Sequence, residues 1–407
     1  MSPKSLPFSD EFRPRMRGGV LEFPVHHMRG GTSTGLVIWE HFAPQSQNLR
    51  DELLRHLMGV PLLGQNDKNR QITGLGRGGP TSNKVFFADI ESTESGEILV
   101  STLAQLANNH AEIDWSVNCG NMSSALQLWA LDTEIMKTNS TGPLSISIRN
   151  TNTGVVSISR MHRHEDGSFT LASIPGVDGA FPAVDLFMQS PVGTKTGELL
   201  PTGVALEVID AFSVSCVDVA VPMVICDARE FGKTVHEPIE DLEADAAFMK
   251  TLRSIWTEAG LRMKLRRRDG NLMTVEELER SETIPKICII GAPQKGGHLS
   301  VRYFTPQKGH ASMAVTGGCC LAAAALIPGS VAHRIVQGQL SVSEEYSDIQ
   351  ISIENPGGIL DATVVCRING KNLEVQSAAY RRNTQTLLRG HSPLYRASAE
   401  LIAAYSL

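Results

Sequence analysis

Two helix beginnings built from small residues, one in each half of the chain, constrain this fold more than any other feature. In the first half, residues 118–121 (Asn-Cys-Gly-Asn) lead into the apolar stretch 122–126. In the second half, residues 308–320 lead into the Ala-rich stretch 321–326. A helix without a polar face has to be buried, and small residues let neighbouring backbones approach it closely. The repetition predicts an internal duplication in which each half wraps strands around one central helix.

Cys119 stands where the first of these helices is predicted to begin. The positive end of a helix dipole favours a thiolate and a bound anion at such a position. Asn118 or Asn121 would cap the N–H groups of the first turn, and Gly120 would leave room for a ligand. A buried structural cysteine is the alternative interpretation.

Composition limits the possible partners. The chain has 407 residues, enough for two domains, and a formal charge of −6 that does not favour nucleic acid or an anionic membrane. Its seven cysteines are odd in number and irregularly spaced, as is typical of free thiols in a reducing compartment. The sequence shows neither a membrane-spanning apolar run nor the apolar core of a secretory signal. We therefore expect a cytoplasmic protein that binds a small molecule and is compatible with a homo-oligomer.

Two Gly-rich segments are candidates for binding an anion. The first contains Arg29, Thr32 and Ser33 between two strand-like stretches, where exposed N–H groups and a guanidinium would suit a carboxylate. A plain hairpin loop is the alternative. The second, at 74–79, matches the dinucleotide pattern G-x-G-x-x-G, but a polar stretch precedes it and a strand follows it. We therefore reject a dinucleotide site and expect a flexible loop that leads to Lys84 at a strand edge.

Further patterns organise the second half of the chain. Residues 190–197 are rich in turn formers and predict a linker between the halves. The longest helical pattern covers 238–264. His162 and His164 flank a polar turn without further ligands nearby, so no metal site is expected there.

Several motifs, taken in order, resemble those of the family of 2-methylaconitate cis–trans isomerase (PrpF), which includes aconitate Δ-isomerases and methylitaconate isomerases. The resemblance runs from about Phe23 to about Gly390, and the chain is most similar to the fungal aconitate Δ-isomerases of itaconate biosynthesis. The motifs that carry it are 28–33, 78–84, 118–121, 196–203 and 310–317.

The PrpF family is similar in fold to diaminopimelate epimerase. The resemblance therefore implies an α/β (α+β) fold of two pseudo-symmetric domains, each a curved sheet around a central helix, with the active site between them. The expected domains are 20–189 and 190–390. Residues 391–407 are expected to form a C-terminal segment that packs on the first half.

The resemblance also implies which residues form the site. Lys84 falls at the family's proposed catalytic lysine, and Cys119 falls at its pocket cysteine. The implied substrate-binding residues are Arg29, Thr32, Ser33, Ser82, Asn118, Gly120, Asn121, Arg302, His310, Thr316 and Gly317. The chain departs from the family pattern at Asn83, Gly357 and Val221, where the family tends to have a small hydroxyl residue, Ser and Asn.

The reaction implied by the resemblance converts cis-aconitate into trans-aconitate by allylic proton transfer, which requires no cofactor or metal. Removing a methylene proton gives a dienolate, and reprotonation at the other end moves the double bond. Two helix beginnings, Arg29 and Arg302 would stabilise the negative charge added to a trianion. A lysine in a dry, cationic pocket favours its neutral form, which suits Lys84 as a general base. Cys119 would either transfer a proton or shape the pocket.

Other functions compete with this one. Isomerisation of 2-methylaconitate or methylitaconate and tautomerisation of 4-oxalomesaconate differ by one substituent, a difference of about 1–3 kcal/mol that a sequence does not resolve. An amino-acid racemase would need two opposed thiols, but Cys319 is displaced along its helix relative to Cys119. A non-catalytic tricarboxylate-binding protein would use the same anion-binding groups without turnover.

Overall fold

The computed structural model describes residues 12–78, 83–94, 96–116, 119–138, 140–267 and 269–405. The chain forms two compact units. Unit 1 comprises Met1–Ser173, Val177–Leu186 and Arg382–Leu407, and unit 2 comprises Ile174–Gly176 and Phe187–Arg381. The expected boundaries after 189 and 390 therefore differ from the observed ones. The chain changes unit four times: two changes flank the short loop 174–176, and the other two, after Leu186 and after Arg381, fall within or beside a strand, where no turn-forming sequence indicates them.

The strands are named in chain order. They are β1 (Arg15–Arg17), β2 (Val20–Gly30), β3 (Ser33–Trp39), β4 (Lys84–Thr93), β5 (Gly96–Leu106), β6 (Ile113–Asp114), β7 (Gly142–Asn150), β8 (Val156–Arg163), β9 (Leu171–Ala172), β10 (Phe181–Gln189), β11 (Glu207–Ile209), β12 (Phe212–Val219), β13 (Val221–Asp227), β14 (Lys286–Gly291), β15 (Leu299–Thr305), β16 (Lys308–Gly309), β17 (Ser347–Asn355), β18 (Gly358–Asn369), β19 (Asn372–Tyr380) and β20 (Arg382–Leu394).

The α-helices follow the same numbering. They are α1 (Gln47–Met58), α2 (Gly120–Ser123), α3 (Leu126–Asp132), α4 (Ile239–Ala244), α5 (Ala246–Arg262), α6 (Val275–Arg280), α7 (Val315–Leu326), α8 (Val331–Ile335) and α9 (Ala399–Ala403).

The strands of unit 1 close into a ring. Their order is β8, β7, β5, β4, β3, β2, β20 and β10, and β10 pairs back with β8. Helix α2 contacts β2 and β3, while α3 contacts β8 and β20. Because these strands lie in different parts of the ring, both helices pack against its inner face. Met28, Phe86 and Trp129 are fully buried in the resulting core.

Unit 2 repeats the pairing order of unit 1. In unit 1, the pairs β2–β3, β4–β5 and β7–β8 are antiparallel, and β3–β4 and β5–β7 are parallel. In unit 2, β12–β13, β14–β15 and β17–β18 are antiparallel, and β13–β14 and β15–β17 are parallel. The central helices occupy the same place in this order, since α2 and α3 precede β7 and α7 precedes β17. The repeat favours internal duplication, while pseudo-symmetry of the two domains stays a prediction.

The central helices differ from the predicted ones. Helix α7 begins earlier than 321, and its residues from Gly317 to Leu326 are buried. The first helix was predicted to be continuous, but it is interrupted between α2 and α3. At this point Ser124 Oγ donates to Asn121 O at 2.6 Å, and Ser124 N bonds to the same carbonyl at 3.3 Å. A side-chain hydroxyl that bonds to a nearby carbonyl competes with the regular helical pattern.

The pattern at 238–264 is two helices rather than one. Asp245 lies between α4 and α5, and its carboxylate accepts a hydrogen bond from Phe248 N at 3.0 Å. An Asp at this position caps a new helix and so begins α5. The apolar face of α5 packs on a core of unit 2 that includes Trp256 and Phe304.

The expected linker at 190–197 is a fixed loop of unit 2. Asp218 is fully buried and accepts hydrogen bonds from Thr194 Oγ1 at 2.8 Å and from the backbone N–H groups of Lys195 and Thr196 at 2.9 Å. The prediction of a linker was wrong because turn-forming residues also suit a tight loop around a carboxylate. Among the helices described, none is both long and apolar enough to cross a membrane.

Candidate active site

The first Gly-rich segment is a tight hairpin of unit 1. Strand β2 continues to Gly30, and β3 begins at Ser33, so that only Gly31 and Thr32 form the turn. Gly31 has a φ of 53°, and a Cβ there would lie 2.7 Å from Asn121 Oδ1. Its N–H donates to a carbonyl of β20 at 2.9 Å. The expected row of free N–H groups is therefore replaced largely by strand pairing.

Lys84 and Ser33 lie on the face of the sheet that receives α2. Gly30 has no side chain because the backbone of Asn121 occupies that space. Gly30 pairs with Ser33, and Gly35, two residues further along β3, pairs with Lys84. Residues that pair across two strands share a face of the sheet, and so do alternate residues along one strand. Ser33, Gly35 and Lys84 therefore lie on the same face as Gly30, the face toward α2.

Lys84 is the first residue of β4, and its side chain is held in the interior, with 5% of the residue exposed. The preceding Asn83 is fully buried and forms reciprocal amide hydrogen bonds with Gln71 at 3.0 and 3.1 Å. Gln71 Oε1 also accepts from Gly78 N at 2.7 Å. The departure at Asn83 thus has a structural reason, because this amide pair anchors the Gly-rich loop before Lys84. Ser82 lies outside the described residues.

Cys119 is the N-cap residue of α2 and is half-buried, whereas the other six cysteines are buried. A Cβ added at Gly120, the next residue, would meet no described atom within 4 Å. Helix α2 has only four residues, and the dipole expected at Cys119 is therefore that of a single turn. Asn118 lies outside the described residues.

Asn121 connects the hairpin to an arginine that the sequence did not indicate. Of the two residues expected to cap the helix, Asn118 lies outside the described residues, and Asn121 makes other hydrogen bonds: its Nδ2 donates to Thr32 Oγ1 at 3.2 Å and its Oδ1 accepts from Arg382 Nε at 2.8 Å. Arg382 has 7% of its surface exposed and also contacts Gly31. Its only sequence signal is that it belongs to a pair of arginines, Arg381 and Arg382, directly after the apolar end of β19. Nothing in the spacing relates it to a turn near the other end of the chain.

Arg29 lies on the opposite face of the sheet from Lys84. It directly precedes Gly30 in β2, and successive side chains of a strand alternate between faces. Its Nη1 donates to Asn383 Oδ1 at 2.6 Å, and its guanidinium lies 4.6 Å from the centre of the Phe181 ring. Burial lowers the pKa of Arg29. The structure therefore does not bring Arg29 together with Lys84.

In unit 2, three of the expected residues lie at or before the start of α7. Thr316 is half-buried in the first turn, and Gly317 is buried against the Tyr303 ring, where a Cβ would lie 2.6 Å from Cε2. His310 Nδ1 accepts a hydrogen bond from Ser312 N at 2.9 Å, so that the neutral ring carries its proton on Nε2.

Arg302 is separated from these three residues. It precedes Tyr303 in β15, and because Tyr303 faces α7, Arg302 faces the other side of the sheet. Its Nε donates to Glu237 O at 2.7 Å, just before α4. Burial lowers the pKa of Arg302, which the charge of Glu237 partly offsets. Both arginines expected to bind the substrate thus face away from the central helix of their unit.

The groups on the inner face of unit 1 are suited to moving a proton in a carboxylate-bearing molecule. A buried amine and a half-exposed thiol can exchange protons, and the Arg382 guanidinium, the Thr32 hydroxyl and the Asn121 amide can orient carboxylates. Within the described residues, no group of three His, Cys, Asp or Glu side chains could hold a metal ion.

Comparison with known proteins relates these features to a family. The chain is 33% identical over 346 residues to 4-oxalomesaconate tautomerase of Pseudomonas putida, covering 84% of this chain and 88% of that protein. It is 30% identical over 381 residues to (4E)-oxalomesaconate Delta-isomerase of Novosphingobium sp. (strain KA1), covering 93% and 99%. A solved methylitaconate-delta-isomerase superposes with a TM-score of 0.76 at 25% identity, covering 93% of this chain and 98% of that one.

These relatives are named as isomerases or a tautomerase, which supports an isomerase. The superposition also supports the mixed α/β, sheet-dominated fold. The family described as "PrpF protein" matches residues 20–394, which confirms the predicted resemblance. The chain therefore belongs to the PrpF protein family.

Proposed function

We propose that this protein is a cofactor-independent isomerase that converts cis-aconitate into trans-aconitate by allylic proton transfer, as in itaconate biosynthesis. The observation that supports it most is the shared position of Lys84 and the α2 start on the inner face of unit 1. A base, a thiol and several carboxylate-binding groups are thereby available at one end of the same sheet.

In the proposed reaction, the Lys84 amine removes a proton from the methylene carbon of cis-aconitate. The electron pair of the broken C–H bond moves into the conjugated system and gives a dienolate. Lys84 or Cys119 then returns a proton to the former vinyl carbon. One proton leaves and one is added, so that the product is an isomer of the substrate.

The carboxylates would be oriented by groups on the α2 side. Arg382 contributes a fixed positive charge, because its Nε is held by Asn121 at 2.8 Å. Thr32 is exposed at the hairpin tip and is held by the same amide at 3.2 Å. Preorganised donors of this kind stabilise the dienolate charge without rearranging during the reaction.

Proton NMR of the purified protein with cis-aconitate in D₂O tests the proposal. We expect the cis-aconitate signals to decline, those of trans-aconitate to appear, and deuterium to enter the product. Binding of trans-aconitate without any change of either spectrum would favour the non-catalytic tricarboxylate-binding protein instead.

Tautomerisation of 4-oxalomesaconate is the second candidate, favoured by the 33% identity to a protein named as that tautomerase. Isomerisation of methylitaconate is supported similarly by the superposed structure. One experiment distinguishes the three substrates: kcat/KM is measured for cis-aconitate, 4-oxalomesaconate and methylitaconate under the same conditions. A kcat/KM at least tenfold higher for one of the other two substrates would replace aconitate as the assigned substrate and leave the reaction type unchanged.

A further inference from the structure

The side-chain amide of Asn355 is buried, and its oxygen and its nitrogen differ in their hydrogen bonding. It is the last residue of β17, and 6% of it is exposed. Its Oδ1 accepts hydrogen bonds from Ser312 Oγ at 3.0 Å and from Gly357 N at 3.0 Å. Its Nδ2 is buried and has no hydrogen-bond partner among the described residues. Two donors at Oδ1 fix the orientation of the amide, so the N–H₂ end is the one without an acceptor.

The buried N–H₂ group is unfavourable unless a ligand or an ordered water accepts its hydrogen bonds. A buried donor left unsatisfied costs about 1–3 kcal/mol. By contrast, the buried carboxylate of the preceding residue, Glu354, has hydrogen-bond partners. It accepts from Gln294 N, Gly297 N and Ser300 Oγ at 2.8–3.0 Å. Glu354 lies on the other face of β17 and does not compete for the Asn355 amide.

The residues around Asn355 indicate the chemical class of the ligand. Ser312, which holds its Oδ1, lies two residues before Ala314, the N-cap of α7, and Ala314 has no side chain able to cap the helix. The buried Tyr303 hydroxyl lies beside Gly317 in the first turn and also has no hydrogen-bond partner within the described ranges. Burial raises the pKa of Tyr303, so the phenol remains a neutral donor. Two buried donors without described acceptors thus lie near this helix start, and such donors suit an anion with several acceptor oxygens.

The loop at Gly357 leaves no room for a side chain next to Asn355. A Cβ at Gly357 would lie 2.8 Å from Pro175 Cβ and 3.2 Å from Ser312 Cβ, so a serine hydroxyl does not fit there without displacing a neighbour. The Ser312 hydroxyl is next to this position but is used to hold Asn355. The side chain that remains to donate is the Asn355 amide.

We propose that Asn355 is a carboxylate-binding residue of unit 2, which donates the N–H groups of its side chain to an anionic ligand at the start of α7, with the Tyr303 hydroxyl as a second donor. The assignment concerns binding within unit 2 and does not depend on the isomerase activity.

Asn355→Asp tests the proposal, because it keeps the oxygen that Ser312 and Gly357 use and replaces the N–H₂ donor by an acceptor. The probe is tricarballylate, which has no double bond and cannot undergo allylic proton transfer. Isothermal titration should show binding to the wild-type protein and at least about tenfold weaker binding to Asn355→Asp, about the effect of one lost hydrogen bond. An unchanged Kd, or no binding of tricarballylate to the wild-type protein, would overturn the assignment.

Asn150→Asp is the matched control. Asn150 is also buried, and its Oδ1 likewise accepts from a backbone N–H and a hydroxyl, both of Thr153, at 3.0 and 2.9 Å. Its Nδ2 already donates to Asn152 Oδ1 at 3.3 Å. The Kd of Asn150→Asp should stay within about twofold of wild type. An equal loss in both variants would contradict a specific role of Asn355.

Tyr303→Phe provides a second variant that adds no charge, for use even if Asn355→Asp fails to fold. It should weaken tricarballylate binding about threefold to tenfold. An unchanged Kd in a folded Tyr303→Phe protein would show that the Tyr303 hydroxyl does not donate to the ligand. Binding that depends on these residues without turnover of cis-aconitate would support the assignment and reject only the proposed isomerase.

Discussion

The two central helices begin in the same place of the pairing order but carry different chemistry. In unit 1, Cys119 is the N-cap of a helix of four residues and is half-buried. In unit 2, the N-cap is Ala314, and Cys319 and Cys320 lie buried inside a continuous helix of twelve residues. Burial raises the pKa of Cys320, which keeps that thiol neutral. A repeated framework therefore does not imply a repeated reaction, and we assign proton transfer to unit 1 and anion binding to unit 2.

The largest difference between the units should be in the kcat lost when one lysine of each unit is replaced. Lys84 begins β4 and pairs in parallel with Gly35, and Lys286 begins β14 and pairs in parallel with Met223. Lys84→Ala should lower kcat by about 10²–10⁴-fold, the usual contribution of a general base. Lys286→Ala should lower it by less than about tenfold. Steady-state kinetics with cis-aconitate measures both, and comparable losses would mean that the base is not confined to unit 1.

Cysteine reactivity is the next comparison. Cys119 is the one half-exposed thiol of the seven, all of which lie in described parts of the chain. N-ethylmaleimide should therefore modify one equivalent rapidly, and Cys119→Ser should abolish that modification. If Cys119 transfers a proton, Cys119→Ser should also lower kcat by about 10–100-fold.

Cys320→Ser is the control for this experiment. It should leave rapid labelling unchanged, because Cys320 is fully buried. Rapid labelling that persists in Cys119→Ser and disappears in Cys320→Ser would reverse the assignment of the reactive unit.

The hairpin of unit 1 allows a test of backbone conformation. Gly31→Ala should cost about 2–3 kcal/mol of unfolding free energy, because Gly31 has a φ of 53° and an added Cβ would displace Asn121. Gly18→Ala is a matched control, with a φ of 59° and no described atom within 4 Å of an added Cβ. It should cost only about 1 kcal/mol. Urea denaturation measures both values, and equal costs would show that the contact with Asn121 is unimportant.

Acid should destabilise the two units in different pH ranges. Burial, with a smaller effect of Arg389, lowers the pKa of His26 in unit 1 to about 4 from 6.5. In unit 2, burial opposes ionisation of Glu354, but hydrogen bonds from Gln294 and its neighbours lower the pKa of that carboxyl to about 2 from 4.5. The stability that depends on neutral His26 is present above pH 6.5 and is lost as the pH falls toward 4, while that of ionised Glu354 is lost only below 4.5.

Hydrogen exchange measured by mass spectrometry at several pH values separates these effects. Between pH 6.5 and 5, protection should fall in unit 1 by about 1–2 kcal/mol and stay nearly constant in unit 2. His26→Gln should reduce this dependence by about half, because burial also lowers the pKa of the neighbouring His27 to about 4. Loss of protection in unit 2 first would contradict the assignment of these two groups.

The sequence predicted the features that are local. The helix beginning at Cys119, the strand beginning at Lys84 and the Ala-rich helix each follow from the pattern of their own neighbours. What it missed depends on contacts distant in the chain. Arg382 reaches Asn121 only because β20 pairs with β2. For the same reason, the sequence did not show that Arg29 and Lys84 lie on opposite faces of the sheet. The elements that pack on each face come from distant parts of the chain, and they decide which residues each face receives.

Resemblance predicted residue types better than their directions. Arg29 and Arg302 both matched the family, yet each faces away from the central helix of its unit because the neighbouring strand residue faces it. Asn83 and Gly357 were recognised as departures, but their reasons lie in Gln71 and Pro175, which no motif connects to them. A one-residue alternation in a strand decides which face of the sheet a candidate ligand lies on.

The most direct test of the central claim is the rate at which solvent deuterium enters the product from cis-aconitate in D₂O, compared between the wild-type protein and Lys84→Ala. We predict trans-aconitate with deuterium at the newly formed methylene carbon in the wild type, and a decrease of about 10²–10⁴-fold in both isomerisation and exchange in the variant. Isomerisation and exchange at the wild-type rate in a folded Lys84→Ala protein would contradict the role assigned to unit 1.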